Sequence, residues 1–294
     1  MGSAAALATA IFAATTNLLL RRQVVRLGGG TAQTWRAAVG TLVFIVIFGA
    51  LRDPRDLLTL PGRAVAVLLV SVLLNMVLGD LFQYAAITRL GISLAMPIAS
   101  SYPLITLLIA TATLGEIPTP RAALGTVLVV AGVTLVALPR RALATSGAAP
   151  RFTPAAGHWA GVALALASAV CIAGATILTR VAIREIDILA ANMLRLPFGA
   201  LLCAIIGTVQ RRQPPWRVER DSLLPLCLAG LTGLGSSLCF LVAIQLAGAT
   251  TTATLNAAAP IFGLLGAVLF LGERPTRRNI VGTFVAFLGV TLVV

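Results

Sequence analysis

The sequence has few of the residues on which the chemistry of most soluble proteins depends. Charged residues make up only 11% of the 294 positions, against about 25% in an ordinary soluble domain. All 22 basic residues are arginine and none is lysine, which excludes a retinal-type Schiff base and the phosphate-gripping lysine of a Walker A loop. The single histidine, His158, is too little for a metal centre or a proton relay, and we expect no cofactor.

Cysteine chemistry and nucleic-acid binding are also poor fits. The four cysteines all lie inside apolar runs, without C-x-x-C spacing, so we expect neither disulfides nor a metal site. The net charge of +13 would suit a nucleic acid, but the arginines lie between apolar runs instead of on one soluble face. We therefore expect no nucleic-acid partner.

What the sequence does contain is long apolar runs, which together with other hydrophobic residues bring the hydrophobic share to 59%. They are too long and too lacking in alternation for barrel strands. A helical span takes about 20 apolar residues, so ten spans need roughly 200. We therefore predict an all-α integral membrane protein with ten transmembrane helices, at Ala4–Leu20, Ala32–Leu51, Ala64–Ile87, Ile92–Leu114, Arg121–Leu138, Trp159–Thr179, Leu189–Val209, Leu223–Ile244, Thr250–Leu271 and Arg278–Val294.

The second half of the chain repeats the first. At a shift of 157 residues the same short strings recur in the same order, among them Ala86-Ile87 as Ala243-Ile244, Gly115-Glu116 as Gly272-Glu273, and Pro118-Thr119 as Pro275-Thr276. The earlier helices match at a shift of 159, where Arg36 meets Arg195. These matches predict a first repeat at residues 1–139, a linker at 140–156 and a second repeat at 157–294.

Each repeat contains five predicted spans, which has a topological consequence. Because five is odd, the second copy enters the membrane in the opposite sense from the first. Inverted repeats of this kind are the usual build of secondary transporters, since two equivalent packings of the halves expose one central site to either side in turn.

The most specific motif is the hairpin P-x(10)-L-G-E-x-P-T-x(5)-G, which occurs once in each half, from Pro103 to Gly125 and from Pro260 to Gly282. With it the chain resembles the drug/metabolite transporter (DMT) superfamily in its ten-helix EamA type. The resemblance implies a carrier, often an exporter, of amino acids, other metabolites or drugs, with a central cavity lined mainly by helices 1, 3, 4, 6, 8 and 9. It implies cytoplasmic termini in a multi-pass protein of a bacterial-type inner membrane, whereas the arginine distribution favours the opposite orientation.

The repeated glutamate of the hairpin, Glu116 and Glu273, is interpreted as architecture. Thr119 and Thr276 are suited to cap the following helices. Glu116 lies where a carboxylate can meet the positive end of the next helix or Arg121, and Glu273 has equivalent neighbours. An active-site role for the pair is the less favoured alternative.

Glycines in the last predicted helix of each half favour close packing. Gly125 and Gly132 are one heptad apart, as are Gly282 and Gly289, so each pair shares a helix face. Such faces let two helices approach closely without any ligand.

Asp80 is the one acid that the predicted spans place well inside the membrane. An ionised carboxylate there should face a cavity or a partner. Asn75, Gly79 and Gln83, at intervals of four, and Tyr84, four residues after Asp80, give this helix one polar side. The hypothesis is that Asp80 binds a proton or a substrate amine during transport, and the alternative is a permanent hydrogen bond to a neighbouring helix.

Prolines near the expected midplane free backbone carbonyls that need protein or water partners in a bilayer. The repeat-related prolines Pro103 and Pro260 therefore indicate kinks that face a cavity. Around these kinks and Asp80, the candidates for substrate binding are Asn17, Asn75, Tyr84, Ser101, Tyr102, Ser236 and Asn256. Hydrogen bonding between helices is the alternative for each of them.

Arg36 and Arg195 occupy equivalent positions of the two halves, about one turn from a helix start. We expect both to extend to the membrane surface in preference to binding substrate.

These observations favour a secondary transporter that exports a small metabolite by alternating access, with protons as a coupling ion through Asp80. Its partners would be a small-molecule substrate, the lipid bilayer and protons. A passive channel or another non-transport membrane protein is the alternative. An intramembrane enzyme fits least, because an aspartyl protease needs two membrane acids and a zinc protease needs histidine ligands.

Overall fold

The fold is described by a computed structural model, which covers residues 1–27, 29–90, 92–116, 118–137, 155–211, 218, 220–271 and 276–294. Within these residues every regular element is helical, which confirms the predicted all-α membrane class. The predicted linker lies outside the described residues except for its last two positions. Gly272, Glu273 and Pro275 of the second hairpin lie outside them as well.

Twelve α-helices follow one another along the described chain, with a short 3₁₀ helix at Pro54–Thr59 and a π-helical turn at Leu74–Gly79. Their bounds are α1 Gly2–Leu27, α2 Gly29–Leu51, α3 Gly62–Leu73, α4 Asp80–Leu90, α5 Ile92–Ala99, α6 Tyr102–Leu114, α7 Pro120–Ala137, α8 Ala155–Ala182, α9 Ile188–Arg211, α10 Arg220–Asn256, α11 Ala259–Leu271 and α12 Arg277–Val293.

Six helical segments of the described chain are long and apolar enough to cross a membrane. One of them, Gly62–Leu90, joins α3, the π turn and α4 into a single rod of 29 residues. Shorter apolar helices occur at Tyr102–Leu114 and Pro120–Val136. The count of ten spans stays a prediction.

The predicted boundary between the eighth and ninth spans is a kink inside α10. Two helical stretches meet at Gly248, whose φ of 83° and ψ of 172° are not helical. Glycine is needed there because a side chain makes this backbone conformation costly. The chain thus changes direction at one residue and needs no connecting loop.

Large apolar side chains lie both between the helices and on the outer surface. The largest buried cluster contains Phe44, Leu68, Leu241 and Ile244. Many others are exposed, and Val46, for example, is 72% accessible. In a bilayer these outward side chains contact lipid tails, so their exposure carries no penalty of the kind that water would impose.

Four glycines bring α7 and α12 into close contact, as the sequence predicted. A Cβ atom at Gly125 would lie 2.7 Å from the carbonyl oxygen of Gly289, and one at Gly282 would lie 2.7 Å from the carbonyl oxygen of Gly132. The start of α7 therefore packs on the end of α12, and the end of α7 packs on its start. The two helices consequently run in opposite directions.

Candidate functional site

Two helix breaks lie at equivalent places in the two halves. In the first half α5 ends at Ala99 and α6 begins at Tyr102, with Pro103 in its first turn. In the second half α10 ends at Asn256 and α11 begins at Ala259, directly before Pro260. Proline fits the start of a helix, where the N–H group that it lacks would have no partner within the helix. Each predicted kink is therefore a full break between two helices.

The π turn interrupts the third predicted span beside Asp80. The wider π turn changes the direction in which the following side chains point around the helix axis. The residues of the predicted polar side therefore face different surroundings. Asn75 lines a cavity, the carbonyl of Gly79 accepts a hydrogen bond from Ser168 Oγ at 2.9 Å, and Gln83 donates to Met96 Sδ at 3.1 Å. Of these three positions, only Asn75 borders the cavity.

A cavity of about 250 Å³ lies between the two halves. This volume lies just below the range of about 300–1,000 Å³ that is typical of ligand pockets, so it suits only a small metabolite. The lining residues come from α1, α2, the α3 rod, α9 and α10, and the polar ones are Thr9, Arg36, Asn75, Arg195, Ser236, Ser237 and Asn256.

Arg195 turns towards this cavity from α9. Its guanidinium carbon lies 5.4 Å from the centre of the Phe240 ring, an arrangement in which the cation rests on the aromatic face. Its Nε and Nη1 atoms are buried without a hydrogen-bond partner. The expectation that this arginine extends to the membrane surface was wrong, because its place near a helix start says nothing about which way the side chain points around the helix.

Arg36, the equivalent residue of the first half, lines the same cavity, so that expectation was wrong for it as well. Its Nε donates to Gln33 Oε1 at 2.6 Å. The neighbouring helix leaves room for it, because a Cβ atom at Gly233 would lie 3.0 Å from Arg36 Nη1. The two arginines are the only charged residues among those that line the cavity in the described chain.

Asp80 is exposed at the first position of α4 and does not line the cavity. Its charge interacts with that of Arg36. Tyr84 itself is 59% exposed and also lies outside the cavity lining. Asp80 and Arg36 do not form a contact ion pair, since the ion pairs within 4.0 Å in the described parts of the chain are Arg52–Asp187 and Arg180–Glu116.

The remaining candidates are divided between the cavity and the surrounding packing. Asn256 and Ser236 line the cavity. Tyr102 donates to the Ala253 carbonyl at 3.1 Å and interacts with the Asn256 side chain, so it joins the two helix breaks. Ser101 donates to the Ile98 carbonyl at 2.6 Å within its own break. Asn17 is exposed on α1 and lies outside the cavity lining.

The hairpin glutamate Glu116 of the first half forms hydrogen bonds with residues of the second half. Its carboxylate accepts hydrogen bonds from the backbone N–H of Ala249 at 3.0 Å and of Thr250 at 3.3 Å, and from Thr250 Oγ1 at 3.1 Å. Arg180 Nε lies 3.7 Å away. The architectural interpretation therefore describes Glu116 well, but its partner is the helical stretch that restarts after Gly248, and neither the following helix nor Arg121.

Both predicted threonine caps are present. The N–H of Ala122 donates to Thr119 Oγ1 at 3.2 Å, and the N–H of Asn279 donates to Thr276 Oγ1 at 3.3 Å. Each cap satisfies one of the free backbone N–H groups at the start of its helix.

The cavity is also lined by side chains that were not among the candidates from the sequence. Besides the two arginines these are Thr9, Ser237 and Phe240. Ser237 donates to Asn192 Oδ1 at 2.6 Å, and Ser236 donates to the Thr9 carbonyl at 3.2 Å. The one available signal was that Arg36 and Arg195 recur at equivalent positions inside apolar runs.

A bundle of membrane helices around a cavity with polar and charged lining residues is typical of a membrane transport protein. The chain belongs to the EamA-like transporter family, whose sequence model matches residues 1–138 and again residues 159–294. It is 25% identical over 287 residues to a protein from Archaeoglobus fulgidus described as an uncharacterized transporter, covering 97% of this chain and 95% of that one. A solved crystal structure of a protein shares the fold, with a TM-score of 0.74, 20% identity and coverage of 99% and 96% of the two chains.

Family membership makes the chain a multi-pass integral membrane protein of a transporter family. It implies two partners, a small-molecule substrate and the lipid bilayer. It also points away from an enzyme, since a transporter is not an enzyme class.

Proposed function

We propose that the protein is a secondary transporter that exports a small polar metabolite by opening its cavity to the two sides of the membrane in turn. The observation that carries this proposal is a pair of equivalent contacts. Ser236 Oγ on α10 donates to the Thr9 carbonyl on α1, at 3.2 Å, and Ser168 Oγ on α8 donates to the Gly79 carbonyl, at 2.9 Å. Thr9 corresponds to Ser168 at a shift of 159, and Gly79 corresponds to Ser236 at a shift of 157.

These contacts support two inverted copies that are related by a pseudo-twofold axis. The first predicted helix of each copy packs on the third predicted helix of the other. The opposed directions of α7 and α12 support the same arrangement, as do the bounds of α6, Tyr102–Leu114, and α11, Ala259–Leu271, which differ by 157 residues. We accordingly propose that residues 1–139 and 157–294 are the two inverted repeats and that 140–156 links them.

The pseudo-symmetry supplies the mechanism of alternating access. Because the halves are equivalent, a second packing in which each half takes the conformation of the other has similar contacts. Its free energy is therefore similar to that of the first packing. In one packing Glu116 binds the helix that restarts at Ala249. Breaking those bonds is the local step by which the contact between the halves at Glu116 would open.

Asp80 is our candidate for proton coupling. It is exposed, it lies at the end of a π turn, and it interacts electrostatically with Arg36 of the cavity. Adding a proton to Asp80 removes its negative charge and so makes the potential at Arg36 more positive. A proton would thereby alter substrate affinity without entering the cavity.

Inversion can be tested without knowing the substrate. Arg121 and Arg278 are exposed equivalents at the starts of α7 and α12, so inverted copies place them on opposite sides of the membrane. In a variant without the four native cysteines, R121C and R278C would each be treated with a membrane-impermeant thiol reagent in sealed vesicles of one orientation. We expect labelling of one and not of the other, and labelling of both from the same side would contradict inversion.

Alternating access can be tested at Ala37, a buried residue of the cavity lining. In the same background, A37C should react with the impermeant reagent from either side of the membrane, while the vesicles remain impermeable to ions. The matched control is A286C, which lies buried in the contact between α7 and α12 and should react from neither side. Reaction of A37C from one side only, or a continuous ion conductance, would contradict a carrier.

A further inference from the structure

We propose that the cavity binds a small organic oxyanion, with Arg195 as its principal ligand and Arg36 as a second cationic ligand. Carboxylates and phosphates share the chemistry that arginine recognises, which is a negatively charged group with several oxygen acceptors. The proposal names the substrate class of the cavity to which we assign transport, and in that respect it rests on the proposed function.

The charge of the cavity is the first step of the argument. Arg36 and Arg195 are its only charged lining residues in the described chain, and no acid lines it. A second recess, of about 460 Å³, contains Glu116 together with Arg180, and there the acid lies 3.7 Å from the arginine. In the second recess the charges of Glu116 and Arg180 thus offset each other, whereas the two arginines of the cavity have no acid among the lining residues and attract an anion.

The second step is the unused hydrogen-bonding capacity of Arg195. Its Nε and Nη1 atoms are buried and have no partner, and a buried donor without an acceptor is costly. The Phe240 ring, with its centre 5.4 Å from the guanidinium carbon, covers a face of the cation. The edge of the guanidinium is therefore available to oxygen atoms of a ligand.

Arg36 differs from Arg195 in having partners. Its Nε donates to the neutral side chain of Gln33 at 2.6 Å, which positions the guanidinium without cancelling its charge. Asp80 interacts with it electrostatically, outside contact distance. Arg36 is thus suited to attract the anion through its positive charge, and Arg195 is suited to donate hydrogen bonds directly to it.

The other lining residues restrict the body of the anion. The hydroxyls of Ser236 and Ser237 already donate within the protein. Asn256 Oδ1 is a buried acceptor without a partner, and Val72, Leu196 and Leu234 supply apolar wall. A small molecule with an oxyanion at one end, a short apolar body and a hydroxyl or amino donor matches these features.

The test compares acids with their isosteric amides. Purified protein in nanodiscs would be titrated with lactate against lactamide, succinate against succinamide, inorganic phosphate and choline, with thermal unfolding as the readout, since a ligand of the native state raises the unfolding temperature. We expect at least one of the three anions to stabilise the protein, and the amides and choline to have no effect. Equal stabilisation by an acid and its amide, or stabilisation by none of the anions, would overturn the proposal.

Variants assign the effect to Arg195. R195Q should weaken anion binding by at least about tenfold, and R195K, which keeps the charge but not the planar donor set, should lie between it and the wild type. R121Q removes an exposed arginine at the start of α7 and should bind like the wild type, which separates a local effect from a change in net charge. If R195Q is monodisperse and binds the anion as the wild type does, Arg195 is not the ligand. If R195Q is not monodisperse, R195K replaces it in the comparison, and wild-type anion affinity of R195K would likewise exclude Arg195 as the ligand.

Failure of this proposal is distinguishable from failure of the proposed function. If the wild-type protein binds the anions saturably but A37C reacts from one side only, the anion site stands and the carrier mechanism falls. If A37C reacts from both sides while acids and amides bind alike, the carrier mechanism stands and the anion site falls.

Discussion

Glu116 Oε1, in the hairpin of the first half, accepts a hydrogen bond from the backbone N–H of Ala249, at 3.0 Å, in the second half. Ala249 directly follows the kink at Gly248, so its N–H belongs to the free N-terminus of the helical stretch beyond the kink. A carboxylate at such a terminus satisfies donors that have no partner within the helix and interacts favourably with the helix dipole. The bond therefore stabilises both a helix end and the contact between the halves.

We expect E116Q to lower the free energy of unfolding by about 1–3 kcal/mol, because a neutral amide replaces charge-assisted acceptors. Its side chain is 21% accessible, so solvent weakens these bonds only in part. Thermal unfolding in nanodiscs would measure the loss. E185Q, at an exposed acid in the turn after α8, is the control and should change stability little; an equal loss in both variants would refute the assigned role.

G248A tests the kink itself. The φ of 83° is unfavourable for any residue with a Cβ atom, and that atom would lie 2.9 Å from Glu116 Oε1. We expect a loss of about 1–3 kcal/mol from backbone strain, together with a weaker contact between Glu116 and Ala249. G49A, at a helical glycine of α2 with nothing within 4 Å of the added atom, serves as the control in thermal unfolding. Wild-type stability of G248A would show that the kink does not require glycine.

G132A should separate α7 from α12. The added Cβ would meet the backbone of Gly282 and Ala286, and backbone cannot move aside as a flexible side chain can. We expect a loss of about 1–3 kcal/mol from overpacking. G263A adds the same atom on α11, where nothing lies within 4 Å, and should be neutral or slightly stabilising because alanine favours helix. If both variants unfold at the same temperature, the glycine contact is not required for close packing.

The helices were predictable from the sequence because a bilayer forces backbone groups to be satisfied within each segment. Apolar length alone therefore predicts where a helix lies. The repeated pair Pro103 and Pro260 indicates two of the breaks, whereas Pro197 and Pro225 lie inside helices without breaking them. The π turn at Leu74–Gly79 and the kink at Gly248 were not predictable in this way. Both depend on tertiary partners, Ser168 for the Gly79 carbonyl and Glu116 for the helix after Gly248.

The candidate site was predictable in its location but not in its charge. The polar residues near the breaks led to Asn75, Ser236 and Asn256, which line the cavity. Arg36 and Arg195 were assigned to the membrane surface, because their distance from a helix end is readable from the sequence and their direction around the helix is not. What reveals their role is packing, namely Gly233 beside Arg36 and Phe240 beneath Arg195.

D80N tests whether a proton on Asp80 controls the cavity. Among the described residues, the titratable groups that sense the charge of this carboxylate are Arg36, Tyr84 and Cys203, and of these only Arg36 borders the cavity. Protonation neutralises Asp80, raises the potential at Arg36 and should strengthen anion binding, so wild-type affinity for a stabilising anion should be higher at about pH 5 than at about pH 7.

In D80N the side chain is permanently neutral, so we expect tight binding at both pH values and transport with a much weaker pH dependence. Binding would be measured by titration, and transport by uptake into proteoliposomes with and without a pH gradient. D187N, which removes an acid from the exposed ion pair with Arg52, is the matched control and should keep the wild-type pH profile. Full rate and full pH dependence in D80N would exclude Asp80 from coupling, because no charge remains at that position to titrate.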